Sequence, residues 1–162
     1  MDQIIINWQD IELSVKNLKE KILGSNKKYD WIVSINRGGV IPGVMLSHSL
    51  GIPHGVLTVT HYENQKMLKE VKKDLYISGI RQIYQHHNIL LVDDIADSGI
   101  CLSESVKTIK KLDSDAKNID TATIYYKPKS IMEPTFYDKE ISDDTWIWFP
   151  WEILAKNALV TV

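Results

Sequence analysis

Residues 89–92 read Ile-Leu-Leu-Val, and the run stops on two adjacent carboxylates, Asp93 and Asp94. A third, Asp97, follows three positions on, with Ser98 and Gly99 directly after it and then a segment of helical spacing. A short apolar run bounded in this way fits a strand buried on both faces, and such strands belong to parallel sheets covered by helices. The crossovers between them are right-handed, and the loop after each strand opens at the sheet edge where α/β proteins bind ligands. The stretch therefore constrains architecture and chemistry together. Backbone N–H groups at a helix start attract phosphate. Two carboxylates beside them can hold sugar hydroxyls and a magnesium ion. The combination points to a phosphorylated sugar; the plainer alternative is a strand end with an aspartate capping the next helix.

The rest of the chain repeats the alternation. Ile4, Ile5 and Ile6 predict a first strand. Asp10 is expected to cap a helix whose apolar positions Ile11, Val15, Leu18 and Ile22 share one face, with Gly24 and Asn26 ending it. Residues 31–35 predict a buried strand. Residues 40–50 predict a helix that tolerates Pro42 in its first turn and is closed by Gly51. Further strands are expected over 56–60, 89–92 and 121–126, and a helix over 100–112. The C-terminal third reads as irregular and aromatic-rich. Residues 61–88 stand apart, with five Lys or Arg, three acids and the pair His86-His87. Met67, Val71 and Leu75 recur every four positions there, as in a helix. A stretch of this kind is usually functional or disordered.

Composition narrows the function classes. A chain of 162 residues predicts one domain, residues 1–162, able to bury roughly 70% of its unfolded surface without staples. The single cysteine excludes an internal disulfide and suits a reducing cytosol. A net charge of −2 argues against a general nucleic-acid binder. No basic-then-apolar leader pattern opens the chain. No apolar run approaches the roughly 20 residues that span a bilayer. A cytoplasmic protein without an integral membrane segment is expected.

The acidic stretch, Val92 to Cys101, resembles the phosphoribosyl pyrophosphate signature of type I phosphoribosyltransferases: an apolar run, Asp-Asp, two variable residues, Asp, Thr or Ser, Gly, a variable residue and usually Thr. It departs at Cys101, where a thiol replaces a better hydrogen-bond donor. Asn36-Arg37-Gly38-Gly39, one strand-helix unit earlier, resembles the family's pyrophosphate loop, which often carries a non-proline cis peptide. Asp144-Thr145-Trp146, near the end, is similar to a segment of the bacterial xanthine-guanine phosphoribosyltransferases. The opening Ile-Ile-Ile-Asn-Trp and Asn64-Gln65-Lys66 are similar too, so the resemblance runs end to end.

The resemblance implies the type I fold, an α/β parallel-sheet core flanked by helices with a small hood. It also implies transfer of phosphoribosyl from phosphoribosyl pyrophosphate to a 6-oxopurine, with Mg2+ as cofactor. Arg37, Gly38 and Lys66 would meet the pyrophosphate. Asp93 and Asp94 would hold the ribose hydroxyls and the metal, Asp94 being the better metal candidate. Ile95, Ala96, Asp97, Ser98, Gly99, Ile100 and Cys101 would complete the sugar-phosphate loop. Asp97 would manage the proton at N7 of the base. Lys127 would face O6, Trp146 would stack on the ring, and the Ile147 backbone would read the exocyclic groups. Trp148 stands where the bacterial relatives carry a polar residue, which favours guanine or hypoxanthine over the often anionic xanthine. The charged segment 61–80 would close over the site. A homo-oligomer is expected, and Trp151 is read as core or interface.

Two features are read plainly: His86-His87 lacks a third ligand at metal spacing, and Cys101, a nucleophile only if a base stood near it, is read as simple packing in the loop. A rival class stays open, a non-catalytic sensor of phosphoribosyl pyrophosphate or a nucleotide on the same fold. An unrelated phosphoacceptor domain fails to explain Arg37-Gly38-Gly39 and Trp146.

Overall fold

The structure is a computed structural model that describes residues 2–58, 88–112, 116 and 118–153. Its main sheet holds five parallel strands. In chain order the elements are β1 (Asp2–Ile5), α1 (Trp8–Gly24), β2 (Trp31–Asn36), α2 (Val40–Leu50), β3 (His54–Thr58), β4 (Asn88–Ala96), α3 (Ile100–Leu112), β5 (Asn118–Tyr126), β6 (Phe136–Glu140) and β7 (Thr145–Trp148). The sheet order is β3-β2-β4-β5-β6, which puts the acidic strand β4 at the centre. The α/β architecture with a parallel core is the one expected.

The apolar run of β4 explains that position. Ile89, Leu90, Leu91 and Val92 are fully buried. Leu90 and Val92 join one core with Ile11, Val15, Leu18 and Ile22 of α1 and Leu46 of α2. Ile89 and Leu91 join the other with Leu102, Val106 and Ile109 of α3. Each fully buried leucine or isoleucine contributes about 1.5–3 kcal/mol relative to exposure, so one face of β4 cannot be traded for the other.

Several local expectations are corrected. Asp10 does not cap α1. Asn7 does: its side chain accepts from the Asp10 N–H at 2.9 Å, and the Asp10 carboxylate accepts from the Asn7 N–H at 3.0 Å. This reciprocal box satisfies two donors that a lone Asp10 cap would not. The first strand is Asp2–Ile5, and Ile6 instead enters the core. The third strand starts at His54; residues 59 and 60 lie outside the described residues.

Strand β4 does not stop at Val92 but runs on to Ala96. Its neighbour β5 continues beside it, pairing Thr123 with Asp93 and Tyr126 with Ala96. The C-terminal third is not irregular, since β6 extends the main sheet and β7 pairs in parallel with β1. That two-stranded sheet is the hood, pinned to the first core by Ile147 and Phe149. Among the described residues no helix is long and apolar enough to cross a membrane.

Candidate active site

The carboxyl ends of β2, β4 and β5 bring the expected residues together. Strand β2 ends at Asn36, and the Asn36–Arg37 peptide is cis, as the resemblance implied. Gly38 and Gly39 then lie flat on the acidic pair. A Cβ on Gly38 would collide with the Asp94 carboxylate, and one on Gly39 would stand 2.5 Å from the Val92 carbonyl and 2.8 Å from Asp93 Cα. Glycine is required here by close approach rather than by φ. Two motifs 55 residues apart in the chain (Arg37-Gly38-Gly39 and Val92-Asp93-Asp94) are thus one packed unit.

Asp93 and Asp94 are electrostatically unsatisfied. Burial pushes Asp93 well above the usual carboxylate range, and the adjacent Asp94 charge adds to it. Backbone N–H groups of Asp94 and Gly39 only partly offset this. Asp94 is pushed up to about 6, first by burial and then by Glu152. Glu152 lies in the 3-10 turn Pro150–Glu152 after β7, where its carboxylate accepts from the Phe149 N–H at 3.3 Å.

The loop after β4 turns into α3 through Gly99, whose φ of 75° lies in the left-handed region. A Cβ there would also collide with the Ser130 hydroxyl. The Ser98 carbonyl accepts from the Ile131 N–H at 3.0 Å, so the loop after β5 packs onto the loop between β4 and α3. The start of α3 supplies backbone donors beside Ser98 and Gly99, a natural anion seat. Cys101 sits half-buried there. Burial and the charges of Asp93 and Asp94 push its thiol up, which opposes a nucleophilic thiolate.

Lys127 is buried and continues the β5 ladder, its N–H donating to the Ala96 carbonyl at 3.0 Å. Its ammonium reaches Asp97 Oδ1 at 3.2 Å, and Lys129 reaches the same oxygen at 2.9 Å. Burial alone would raise the Asp97 pKa, but the two lysines hold it below the usual value. Asp97 is thus the ionised partner in a site whose other two aspartates resist ionisation.

On β7, Trp146 projects outward and is 43% exposed, while the Ile147 side chain is buried in the core. The Trp148 carbonyl accepts from the Ile6 N–H of the neighbouring chain segment at 3.0 Å. Backbone groups of successive strand residues point to opposite edges, so those of Ile147 point to the edge away from β1. That edge holds no strand among the described residues. Trp148 meets Trp146 edge to face at 6.0 Å and donates to Gln3 Oε1 at 3.2 Å. Trp151 stacks on Phe149 at 4.7 Å, in keeping with a packing role.

Lys66, His86, His87, the Met67-Val71-Leu75 pattern and the segment 61–80 lie outside the described residues. Sequence reading missed Lys129 and Glu152. A Lys127-Pro128-Lys129-Ser130 turn, closed by the Ser130 N–H on the Lys127 carbonyl at 2.9 Å, was the available signal for Lys129, since proline presets such turns. Nothing local marks Glu152.

A central acidic strand, a glycine loop pressed against it and a helix start beside it define a phosphoribosyl-binding α/β protein. The chain belongs to the phosphoribosyl transferase domain family, whose pattern matches residues 3–156. It is 29% identical over 160 residues to the xanthine-guanine phosphoribosyltransferase of Cereibacter sphaeroides (strain ATCC 17025 / ATH 2.4.3), covering 93% of this chain and 87% of that protein. The purine phosphoribosyltransferase of Pyrococcus horikoshii Ot3 superposes with a TM-score of 0.78 at 33% identity, over 93% of this chain and 94% of that one. A hypothetical protein from Neisseria gonorrhoeae with bound ppGpp superposes with a TM-score of 0.79 at 28% identity, over 99% and 96%. The chain is a phosphoribosyltransferase of the purine group.

Proposed function

We propose that this enzyme transfers phosphoribosyl from phosphoribosyl pyrophosphate to a 6-oxopurine in purine salvage, in the cytoplasm and as a homo-oligomer. The observation that carries the reading is the buried Lys127 ammonium, held against Asp97 at the end of β5. An ammonium is a pure donor, so it favours an O6 acceptor and offers nothing to the amino group of adenine. Trp146 offers an exposed aromatic face for stacking, and the Ile147 backbone has an open edge for exocyclic groups. The neighbour that binds ppGpp binds a guanine nucleotide, which supports guanine as a base.

The reaction forms a bond from a purine nitrogen to C1′ and breaks the C1′–O bond to pyrophosphate. Charge develops on C1′ and on the leaving group, so catalysis is mostly positioning and electrostatics. Arg37 and the Gly38 backbone would receive the pyrophosphate, with Lys66. Asp93 and Asp94 would hold the ribose hydroxyls. Ile95, Ala96 and the residues from Asp97 to Cys101 would wrap the 5′-phosphate. Asp97, ionised, would accept the proton at N7.

The acidic pair fits magnesium. Its two carboxylates are hard ligands in a site that resists their ionisation, and magnesium is usually bound by one or two carboxylates plus substrate phosphates. Asp94, with Asp93 beside it, would hold the ion, which when bound neutralises charge on the pyrophosphate. Exposed Ile5 and Trp8 on and beside the hood are apolar surface that a second copy could cover.

The test is nucleotide formation from labelled phosphoribosyl pyrophosphate across guanine, hypoxanthine, xanthine, adenine and orotate. Turnover is expected with at least one 6-oxopurine and little with adenine or orotate. Guanine or hypoxanthine should exceed xanthine, because Trp148 removes a polar partner near the 2-position. Lys127→Ala should reduce discrimination more than sugar binding. Tight sugar binding without turnover of any purine would establish the sensor instead.

A further inference from the structure

We infer that Lys129 is a positioning residue for base selection: it holds Asp97 and ties it to the turn before Trp146, leaving Lys127 donors for the base. The inference rests on the reading of Lys127 as the O6 partner.

One oxygen, Asp97 Oδ1, receives both ammoniums, Lys127 at 3.2 Å and Lys129 at 2.9 Å. The two lysines differ in setting: the Lys127 side chain is 4% exposed and the Lys129 side chain 45%. A buried ammonium with a lone carboxylate partner is drawn fully toward it. A second cation on that carboxylate weakens the draw, so Lys127 can share its three donors with an incoming carbonyl.

Lys129 also reaches the turn that leads into β7. Its N–H donates to Asp143 Oδ1 at 3.0 Å and its ammonium to the Asp143 carbonyl at 3.3 Å. Asp143 lies within the turn that the Thr145 N–H closes on the Ser142 carbonyl at 3.1 Å, immediately before Trp146. One residue thus ties the sugar-phosphate loop and the base-reading loop to the turn that leads into the strand bearing the stacking tryptophan. The turn around Pro128 is what returns Lys129 to the same side as Lys127.

The experiment compares Lys129→Met and Lys129→Arg with the wild type, using guanine and adenine as bases. In Lys129→Met, KM for guanine should rise roughly tenfold, the loss of one charge-assisted contact, while KM for phosphoribosyl pyrophosphate changes less than about threefold. Preference for guanine over adenine should fall by a similar factor, and Lys129→Arg should restore most of both. A merely structural role would lower kcat for every base and leave the preference unchanged. That result, or equal impairment in the methionine and arginine variants, overturns the inference. Lys129→Gln serves if the methionine variant does not fold. If the wild type turns over no 6-oxopurine, the proposed function fails, and calorimetry with GMP and AMP still decides this point. Selective weakening of GMP in Lys129→Met supports it. Equal weakening, or no wild-type preference between the two, overturns it.

Discussion

The two ends of the five-stranded sheet carry the same residue type in opposite circumstances. At the amino ends of the strands, Asp120 accepts from the Tyr29 hydroxyl at 2.7 Å, from Lys27 at 2.9 Å and from the Thr135 hydroxyl at 3.3 Å. Burial would raise its pKa, yet these partners hold it below the usual value. A cavity of about 350 Å³ opens there, but Lys27, Tyr29 and Asp120 in its lining already bind one another. At the carboxyl ends, Asp93 and Asp94 are pushed up by burial and by neighbouring carboxylates. A fold keeps a carboxylate at little cost by giving it donors. An unsatisfied buried pair is the kind of place where a ligand can supply the missing charge, which is the character of the proposed site at the carboxyl end. This cavity and the proposed site therefore lie on opposite edges of the sheet.

Removing charge should separate the two ends most sharply. Asp94→Asn should weaken magnesium-dependent binding of phosphoribosyl pyrophosphate by about 100-fold, since an amide is a poor ligand for a hard cation. Its melting temperature without ligand should be unchanged or higher, because a buried acid with a raised pKa costs stability when ionised. Calorimetry with and without magnesium, beside a thermal melt, checks both. Unchanged affinity would remove the metal role.

Next in size is the interlock of the glycine loop with the acidic pair. Gly38→Ala forces the Asp94 carboxylate aside and should lower kcat/KM on the order of tenfold, through misplacement of groups that touch substrate. Overpacking should cost about 1–3 kcal/mol in a urea titration. Full activity would show that the contact with Asp94 is dispensable.

At the other end the same chemistry should cost stability and spare activity. Asp120→Asn should destabilise by about 1.5–3 kcal/mol, mostly through the Tyr29 contact, with kcat/KM unchanged. The half-exposed Lys27 pair should account for less than about 1 kcal/mol of it. The folded pKa of Asp120 lies below the unfolded one, so its contribution is present above the unfolded value and lost as pH falls through the folded value. The gap between wild type and variant in denaturant titrations should therefore be full at neutral pH and close below about pH 4. A pH-independent gap would assign the loss to packing.

The smallest effect is expected at Cys101. Cys101→Thr places a hydroxyl donor in the proposed phosphate loop and should leave affinity for phosphoribosyl pyrophosphate equal or up to about threefold tighter. Abolished turnover in the folded variant would instead make the thiol a nucleophile.

Along the chain, the carboxyl end of the sheet is far more legible than the hood. The apolar run of β4, the acidic triplet and the glycine loop each carry their signal within a dozen residues. Period, charge and glycine therefore mark the strand, the helix start and the site edge in the sequence alone. Strand β6 is illegible there because Phe136-Tyr137-Asp138-Lys139-Glu140 is an edge strand without alternating apolar residues. Strand β7 escapes notice because it has four residues and its partner β1 stands at the other end of the chain. The expected cap of α1 is misplaced by three residues because Asn7 and Asp10 are both competent caps, and only the backbone decides which is N-terminal.

The sequence by itself determined the parallel α/β core, the phosphoribosyl motif and the residue types that meet it, because these depend on local spacing and on one buried apolar strand. Only the tertiary structure decided what those residues face: Gly38 against Asp94, Glu152 beside Asp94, Lys129 sharing Asp97 with Lys127, and β1 paired with β7. Most of these contacts join segments tens of residues or more apart. Closing such loops costs entropy that no local pattern records, and the contacts are set by how the core packs rather than by the residues that make them.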